Sequence, residues 1–199
     1  TASPVTDGER LYAHFGSAGT CAYTLDGELL WKVDLGDMTA RLGYGEGSSP
    51  ARWGDTLVVY WDHEGGSFVV ALDKRTGEER WRKERPGELT SWSTPLICEH
   101  EGRVHVIVAA AGRTRSYDIR NGELLWSLSG LGMNVIPTPI YDAGTLYLAS
   151  GKRDSPRMQA VDLRGARGDL DGTGAVLWSR DRHTPYVSTP LLYRGQLYF

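Results

Sequence analysis

The chain has 199 residues, of which 40% are hydrophobic and 24% are charged, and its net charge is −3. This balance predicts a folded protein and disfavours non-specific binding to nucleic acid or to a membrane surface. No apolar run approaches the roughly 20 residues that a membrane-spanning helix needs. We therefore expect a globular protein without a transmembrane segment and without a nucleic-acid partner.

Two sequence anchors recur along the chain. The first is a hydroxylated residue before proline, at Pro4, Pro50, Pro95, Pro139 and Pro190, with spacings of 46, 45, 44 and 51 residues. The second is a tryptophan that closes each unit, in three cases at the end of a Gly-Glu-x-x-Trp run: Trp31, Trp81, Trp126 and Trp178. Short apolar runs separated by turn signals fill the space between anchors. A repeat of this length with four predicted strands indicates the blade of a β-propeller.

In chain order, the predicted blades are residues 1–46, 47–92, 93–136 and 137–187, and residues 188–199 begin a fifth. Strand residues are apolar on both alternate sets, as expected when a blade is packed between two neighbours. The last turn of the fourth blade is extended, over residues 163–173. Because the chain stops within the fifth unit, the remaining blades are expected outside it, and the open edge favours association.

The motifs resemble the pyrroloquinoline-quinone (PQQ) repeat. The residues that carry the resemblance are Ala71-Leu72-Asp73 followed by Thr76 to Trp81, and Ser116-Tyr117-Asp118 followed by Gly122 to Trp126. The resemblance implies an all-β propeller of four-stranded antiparallel blades, usually eight-bladed, in a periplasmic or secreted bacterial protein. A lipid anchor would come from a segment outside this chain. It also implies that the four repeated tryptophans are structural and pack between adjacent blades.

This family includes non-catalytic scaffolds of the BamB type and quinoprotein dehydrogenases that use PQQ with Ca²⁺. The chain lacks the adjacent Cys-Cys pair of quinoprotein alcohol dehydrogenases, and it shows no clear Glu, Asn and Asp cluster for calcium. We therefore predict a non-catalytic extracytoplasmic binding or assembly scaffold with no cofactor. The alternative is a PQQ-dependent oxidoreductase acting on alcohols or sugars, with PQQ and Ca²⁺. A hydrolase or lyase built on the loop at 62–64 ranks last.

Blade topology places the loops after second strands and the loops between blades on one face, where a protein or a small molecule would bind. The candidate ligand-binding residues on these loops are Asp62, His63, Glu64, Trp92, Arg113, Asn134, Arg153 and Tyr186. The Asp-His-Glu run could bind a divalent metal or transfer a proton. Three consecutive side chains point in different directions, however, so a polar loop is favoured and no metal site is predicted. For Trp92, packing within the loops is favoured over stacking on a planar ligand.

Cys21 and Cys98 lie in different repeats without a metal-binding spacing, which favours buried free thiols over a disulfide. The segment from Gly168 to Gly174 has a weak likeness to a calcium loop but lacks its full set of oxygen ligands. A solvated hairpin insertion is the favoured interpretation.

The histidines divide into two groups by position. His14 and His105 lie within predicted strands, so packed neutral imidazoles are expected. His100 and His183 lie at strand ends or in loops, and we expect both to be solvated.

Overall fold

A computed structural model describes residues 2–151 and 155–199 and shows strands with only two short 3₁₀ turns. Arg153, one of the candidate site residues, lies outside the described residues. The chain divides into two compact units, Thr1–Thr90 and Ser91–Phe199. Within the described ranges, no helix has the length and apolar character needed to cross a bilayer.

The N-terminal unit contains two four-stranded antiparallel sheets, each with its strands in sequence order. The first consists of β1 (Val5–Thr6), β2 (Arg10–His14), β3 (Thr20–Thr24) and β4 (Leu29–Val33), and the second of β5 (Ala51–Trp53), β6 (Thr56–Trp61), β7 (Phe68–Asp73) and β8 (Glu79–Glu84). The 3₁₀ turns lie at Gly16–Ala18 and Arg41–Gly43. The apolar core of the two sheets includes Tyr12, Trp31 and Trp61.

The C-terminal unit contains a five-stranded, a four-stranded and a two-stranded sheet. The five-stranded sheet joins β9 (Leu96–His100), β10 (Arg103–Val108), β11 (Thr114–Asp118) and β12 (Leu124–Leu128) to β16 (Gly168–Asp169). The next sheet consists of β13 (Ile140–Asp142), β14 (Thr145–Ser150), β15 (Arg157–Asp162) and β17 (Val176–Arg180), and the last of β18 (Leu191–Tyr193) and β19 (Gln196–Tyr198).

An aspartate at the end of the third strand shapes the turn that follows it. Asp73 accepts a hydrogen bond of 2.8 Å from the N–H of Arg75, and Asp118 accepts one of 2.9 Å from the N–H of Arg120. Each is an Asx turn, in which a short carboxylate stands in for a backbone acceptor. The Asp-to-Gly spacing in the sequence therefore marks a hairpin.

Each repeated tryptophan faces a small residue across the third and fourth strands. The pairs are Trp31 with Ala22, Trp81 with Ala71, Trp126 with Ser116 and Trp178 with Ala160. In all four sheets the register shifts by one residue directly after this pair. A small partner leaves room for the indole, and the bulge increases the local twist of the strand.

Three of the four tryptophans are buried, in agreement with a structural role. Trp31 is 9% exposed and donates a hydrogen bond of 3.0 Å from its indole N–H to the carbonyl of Lys74, in the turn that follows β7 of the next sheet. Trp81 and Trp126 are also buried. Trp178 differs from the prediction, because it is 40% exposed. Trp31 is covered by the turn that follows the third strand of the next sheet. The sheet that follows Trp178 consists of β18 and β19, and its two strands provide no corresponding turn.

The segment from Gly168 to Gly174 is exposed at six of its seven residues, as predicted for a solvated insertion, but it is not a simple hairpin. Its strand β16 pairs in parallel with β12, and the N–H of Leu170 donates a hydrogen bond of 2.9 Å to the carbonyl of Ser127. Leu163 and Leu170 are buried in the same cluster as Trp126. These two leucines anchor the otherwise exposed insertion, since burial removes each large apolar side chain from water.

The cysteine prediction is confirmed, because Cys21 and Cys98 are both buried and carry no disulfide. His14 and His105 are buried, and desolvation lowers the pKa of each, that of His14 to about 4, so both are neutral near pH 7. The prediction of a solvated His100 is wrong: this side chain is packed between its own sheet and Tyr141.

Candidate functional site

The loops at one edge of the N-terminal unit form a connected structure. They are residues 15–19, 34–50, 62–67 and 85–90, and we refer to them as the N-terminal loop edge. Antiparallel order brings these loops together, since each follows a strand running toward this edge or precedes one running away from it. This is the part of the predicted ligand-binding face that belongs to the N-terminal unit.

A buried ion pair anchors the loop at 62–67. The carboxylate of Asp62 accepts hydrogen bonds from Arg85, at 2.8 Å from Nε and 2.9 Å from Nη2, and from the Tyr60 hydroxyl at 2.8 Å. Both charged side chains are fully buried. Burial raises the pKa of the Asp62 carboxyl, and Arg85 and Tyr60 oppose that rise. The structure therefore differs from the predicted ligand site, because both carboxylate oxygens of Asp62 serve internal contacts.

His63 is buried and holds two loops together. Its Nδ1 accepts a hydrogen bond of 2.9 Å from the Thr39 N–H, and its Nε2 lies 3.2 Å from the carbonyl of Gly66. With these partners, the imidazole accepts at Nδ1 and donates at Nε2. Neither nitrogen is available to a metal ion, so the structure does not support the metal-binding hypothesis for His63. Across residues 2–151 and 155–199, no three His, Cys, Asp or Glu side chains are grouped as a metal site.

Glu64 is exposed, and it ties the loop edge together through Thr90. Its Oε1 accepts a hydrogen bond of 2.9 Å from the Thr90 hydroxyl, whose oxygen accepts one of 2.9 Å from the Arg41 N–H. The backbone N–H of Glu64 donates to the carbonyl of Thr39 at 3.0 Å. Three loops are thus connected through these few residues.

The 34–50 loop is held at its other end by Glu46. The N–H and the hydroxyl of Ser17 each donate a hydrogen bond of 2.5 Å to the Glu46 carboxylate, and the Met38 N–H donates to Ser17 Oγ at 2.8 Å. Gly16 has φ +55°, and a Cβ added there would lie 1.3 Å from Glu46 Oε2. Glycine is therefore required at this position, and the 34–50 loop is fixed at both ends.

Exposed apolar side chains lie on this fixed loop edge. Phe15 is 57%, Leu42 75% and Tyr44 66% exposed. Phe15 and Tyr44 line a cavity of about 320 Å³ together with His14 and Glu46. Sequence reasoning noted the polar residues here and missed Phe15 and Leu42. Leu42 could have been noticed as an apolar residue flanked by Arg41 and Gly43 in a loop.

The candidates in the C-terminal unit differ in their exposure and in their contacts. Trp92 is half-buried, and its backbone N–H donates a hydrogen bond of 2.8 Å to the carbonyl of Val135. Asn134 is buried with φ +57°, and Tyr186 is exposed. Arg113 pairs with Asp169 and, at 3.2 Å, with Asp171, so its charge holds the insertion rather than a ligand. Packing thus accounts for the burial of Trp92 and Asn134.

Comparison with known proteins identifies the family. The family model described as outer membrane protein assembly factor BamB matches residues 17–171. The chain belongs to this family of PQQ-repeat β-propellers. The predicted all-β propeller class is confirmed by this match and by the solved structures that share the fold.

Two solved structures illustrate the fold. BamB from Moraxella catarrhalis is 21% identical with a TM-score of 0.63, covering 97% of this chain and 52% of that protein. The quinohemoprotein alcohol dehydrogenase ADHIIG from Pseudomonas putida HK5 is 18% identical with a TM-score of 0.60, covering 98% of this chain and 37% of that enzyme. At these identities the likeness shows the fold alone.

A curated relative is also matched. Uncharacterized protein RP232 from Rickettsia prowazekii (strain Madrid E) is 25% identical over 124 residues, which cover 55% of this chain and 27% of that protein. The chain thus spans 27% of this relative and 52% of the Moraxella protein.

Proposed function

We propose that the protein is a non-catalytic scaffold that binds a polypeptide partner in the bacterial cell envelope, with the N-terminal loop edge as part of its binding surface. The observation that carries the proposal is Leu42, which has φ +53° and an exposed side chain. A left-handed backbone costs a non-glycine residue about 1–2 kcal/mol. An exposed leucine offsets little of that cost, and strain of this kind is concentrated at functional sites.

The chemistry around Leu42 suits a protein partner. Aromatic side chains are enriched in the cores of protein interfaces, and Phe15 and Tyr44 supply two of them on neighbouring loops. The hydrogen bonds of Ser17, His63 and Thr90 fix those loops before any partner arrives. A fixed surface loses little conformational entropy on binding, which favours affinity.

Membership of the family supports the same proposed function. Its description is that of an outer membrane protein assembly factor. An envelope scaffold would be periplasmic or secreted, with any lipid anchor supplied by a segment outside this chain. Its partner would be a polypeptide that offers apolar side chains to Leu42 and the aromatics beside it.

The test is site-specific photo-crosslinking in the whole protein, in the envelope of its own bacterium. A photoreactive residue in place of Leu42 should give a discrete cross-linked partner. Leu25 is the matched control, because it is 63% exposed on the β3–β4 turn at the other edge of the same sheet. Equal cross-linking from both positions would contradict the proposal, as would unchanged partner binding by Leu42→Ser.

The competing prediction is PQQ-dependent oxidation of an alcohol or a sugar. Its test is titration of the whole protein with PQQ and Ca²⁺, followed by absorbance. Stoichiometric uptake with substrate-dependent reduction of the quinone would replace the scaffold proposal. No saturable uptake, together with cross-linking from position 42 alone, is the result we expect.

A further inference from the structure

A second cavity, of about 280 Å³, lies within the C-terminal unit. It is bordered by the β9–β10 turn at Glu101-Gly102 and by residues 163–167 of the insertion. The antiparallel strand order puts this turn at the sheet edge opposite the loop that carries Arg113. The cavity shares no residue with the N-terminal loop edge, so ligand binding in this cavity would be independent of the proposed scaffold function.

His100 forms part of the cavity wall and has an unsatisfied ring nitrogen. The side chain is 9% exposed, and its Nδ1 lies 2.9 Å from the Tyr141 hydroxyl. We assign the Tyr141 hydroxyl as the donor to Nδ1, which places the ring hydrogen on Nε2. Nε2 is buried and has no hydrogen-bond partner in the part of the chain that the structure describes. Buried polar groups are nearly always paired, so this donor calls for an acceptor.

The carboxylate of Glu101 lies beside that donor without bonding to it. Its Oε1 is 3.9 Å from His100 Nε2, which is beyond hydrogen-bonding distance, and both its oxygens are 3.3 Å from the N–H of Gly165. Glu101 has φ +49°, in a turn where asparagine or glycine would be less strained. It thus holds a carboxylate near two donors that it satisfies poorly.

Two arginines add positive charge to the same wall. Arg103 and Arg167 line the cavity and are exposed, and neither forms an ion pair within residues 2–151 and 155–199. Arg164, in the same insertion, differs because it pairs with Asp162 at 2.7 Å. Guanidinium groups bind carboxylate and phosphate through paired N–H donors.

We propose that this cavity binds a small oxyanion of the carboxylate or phosphate class. The ligand displaces the Glu101 carboxylate and accepts hydrogen bonds from the Gly165 N–H and His100 Nε2, while Arg103 and Arg167 neutralise its charge. Glu101 is an internal stand-in that occupies the donors weakly when no ligand is bound. The volume lies just below the roughly 300–1,000 Å³ of typical ligand pockets, which suits a small anion.

The test uses the whole protein, with succinate and inorganic phosphate as separate probes at low ionic strength. Binding is followed by titration calorimetry and by the amide NMR signal of Gly165. We expect saturable binding of at least one probe at millimolar concentration, and the probe that binds identifies the class. Arg167→Gln should weaken it about tenfold, because one charge-assisted contact is lost. Arg75→Gln, which removes an equal charge from an exposed side chain of the N-terminal unit, should leave it unchanged.

Glu101→Gln provides the decisive variant. If Glu101 is a competing carboxylate, its replacement by the neutral amide should tighten anion binding several-fold. If Glu101 instead contributes to a site for another class of ligand, the same change should weaken binding or have no effect. Absence of saturation with both probes, or equal weakening by Arg167→Gln and Arg75→Gln, would overturn the proposal. All three positions are exposed, so thermal unfolding should confirm that each variant is folded.

Discussion

The indole N–H of Trp31 donates a hydrogen bond of 3.0 Å to the carbonyl of Lys74, 43 residues along the chain. This contact joins the first sheet to the turn of the second. Trp31→Phe should lower the free energy of unfolding by about 1 kcal/mol for the lost hydrogen bond, and Trp31→Ala by about 3–5 kcal/mol. Trp53→Phe, at a half-exposed tryptophan, is the control. Equal losses in urea unfolding for Trp31→Phe and Trp53→Phe would contradict the docking role.

Gly77 lies against the same indole. It has φ +77°, and a Cβ added there would be 2.8 Å from Trp31 Cε3. Gly77→Ala should therefore combine backbone strain with a steric clash. Gly27→Ala is a matched control, because Gly27 has φ +89° but a Cβ there would meet no atom within 4 Å. We expect the control to cost about 1 kcal/mol and Gly77→Ala clearly more, as measured by thermal unfolding. The same loss at both positions would show that the clash is relieved without cost.

The buried pair of Asp62 and Arg85 should be sensitive to the loss of one partner. Arg85→Met leaves a buried carboxylate without its cation, and we expect a cost of about 3–5 kcal/mol. Adding Asp62→Leu should recover most of that loss. The half-exposed pair of Asp73 and Arg80, at 2.6 Å, is the control, and Arg80→Met should cost less than about 1 kcal/mol. A double variant as unstable as Arg85→Met alone would refute this account.

His14 should make the stability of the N-terminal unit depend on pH. Burial lowers its pKa from 6.5 to about 4, although Glu46 opposes the shift. The unfolded chain therefore takes up a proton as the pH falls below about 6.5, while the folded protein stays neutral until about pH 4. Stability is present above pH 6.5 and is lost across this window, by about 3 kcal/mol at most. The free energy of unfolding, measured by urea at several values between pH 4 and 7, should depend less steeply on pH in His14→Gln. An unchanged dependence on pH would refute the assignment.

Leu170 should hold the insertion more strongly than the ion pairs of Arg113 do. Leu170 is buried, so Leu170→Ala should cost about 2–5 kcal/mol. Arg113→Gln breaks pairs with the half-exposed Asp169 and Asp171, and it should cost at most about 1 kcal/mol. Hydrogen exchange at the Leu170 amide, which donates to Ser127, measures both effects. Faster exchange in Arg113→Gln than in Leu170→Ala would reverse this ranking.

The elements that sequence reasoning predicted well depend on local chemistry. Asp73 and Gly77 define one hairpin within five residues, and each tryptophan recurs at a fixed distance from such a turn. These local patterns were sufficient for the all-β class and for the family, both of which are confirmed. The blade boundaries and the cofactor remain predictions.

Several polar side chains have partners that the sequence did not indicate. Asp62 is neutralised by Arg85, His63 is bound by Thr39, and His100 contacts Tyr141. No local sequence pattern indicates such a partner, so a polar run whose side chains make internal contacts resembles a binding loop. Leu42 was missed for the opposite reason, because exposure of an apolar side chain is a property of the folded surface.

The parallel pairing of β16 with β12 has a consequence for how the C-terminal unit comes apart. In an ordinary repeat array each repeat contacts only its neighbours, so an end sheet can detach by itself. Here β16, which lies in the connection between β15 and β17, forms main-chain hydrogen bonds with β12 and becomes a strand of the preceding sheet. Residues 93–187 should therefore open and close as a single cooperative block, with fraying confined to the strands that follow.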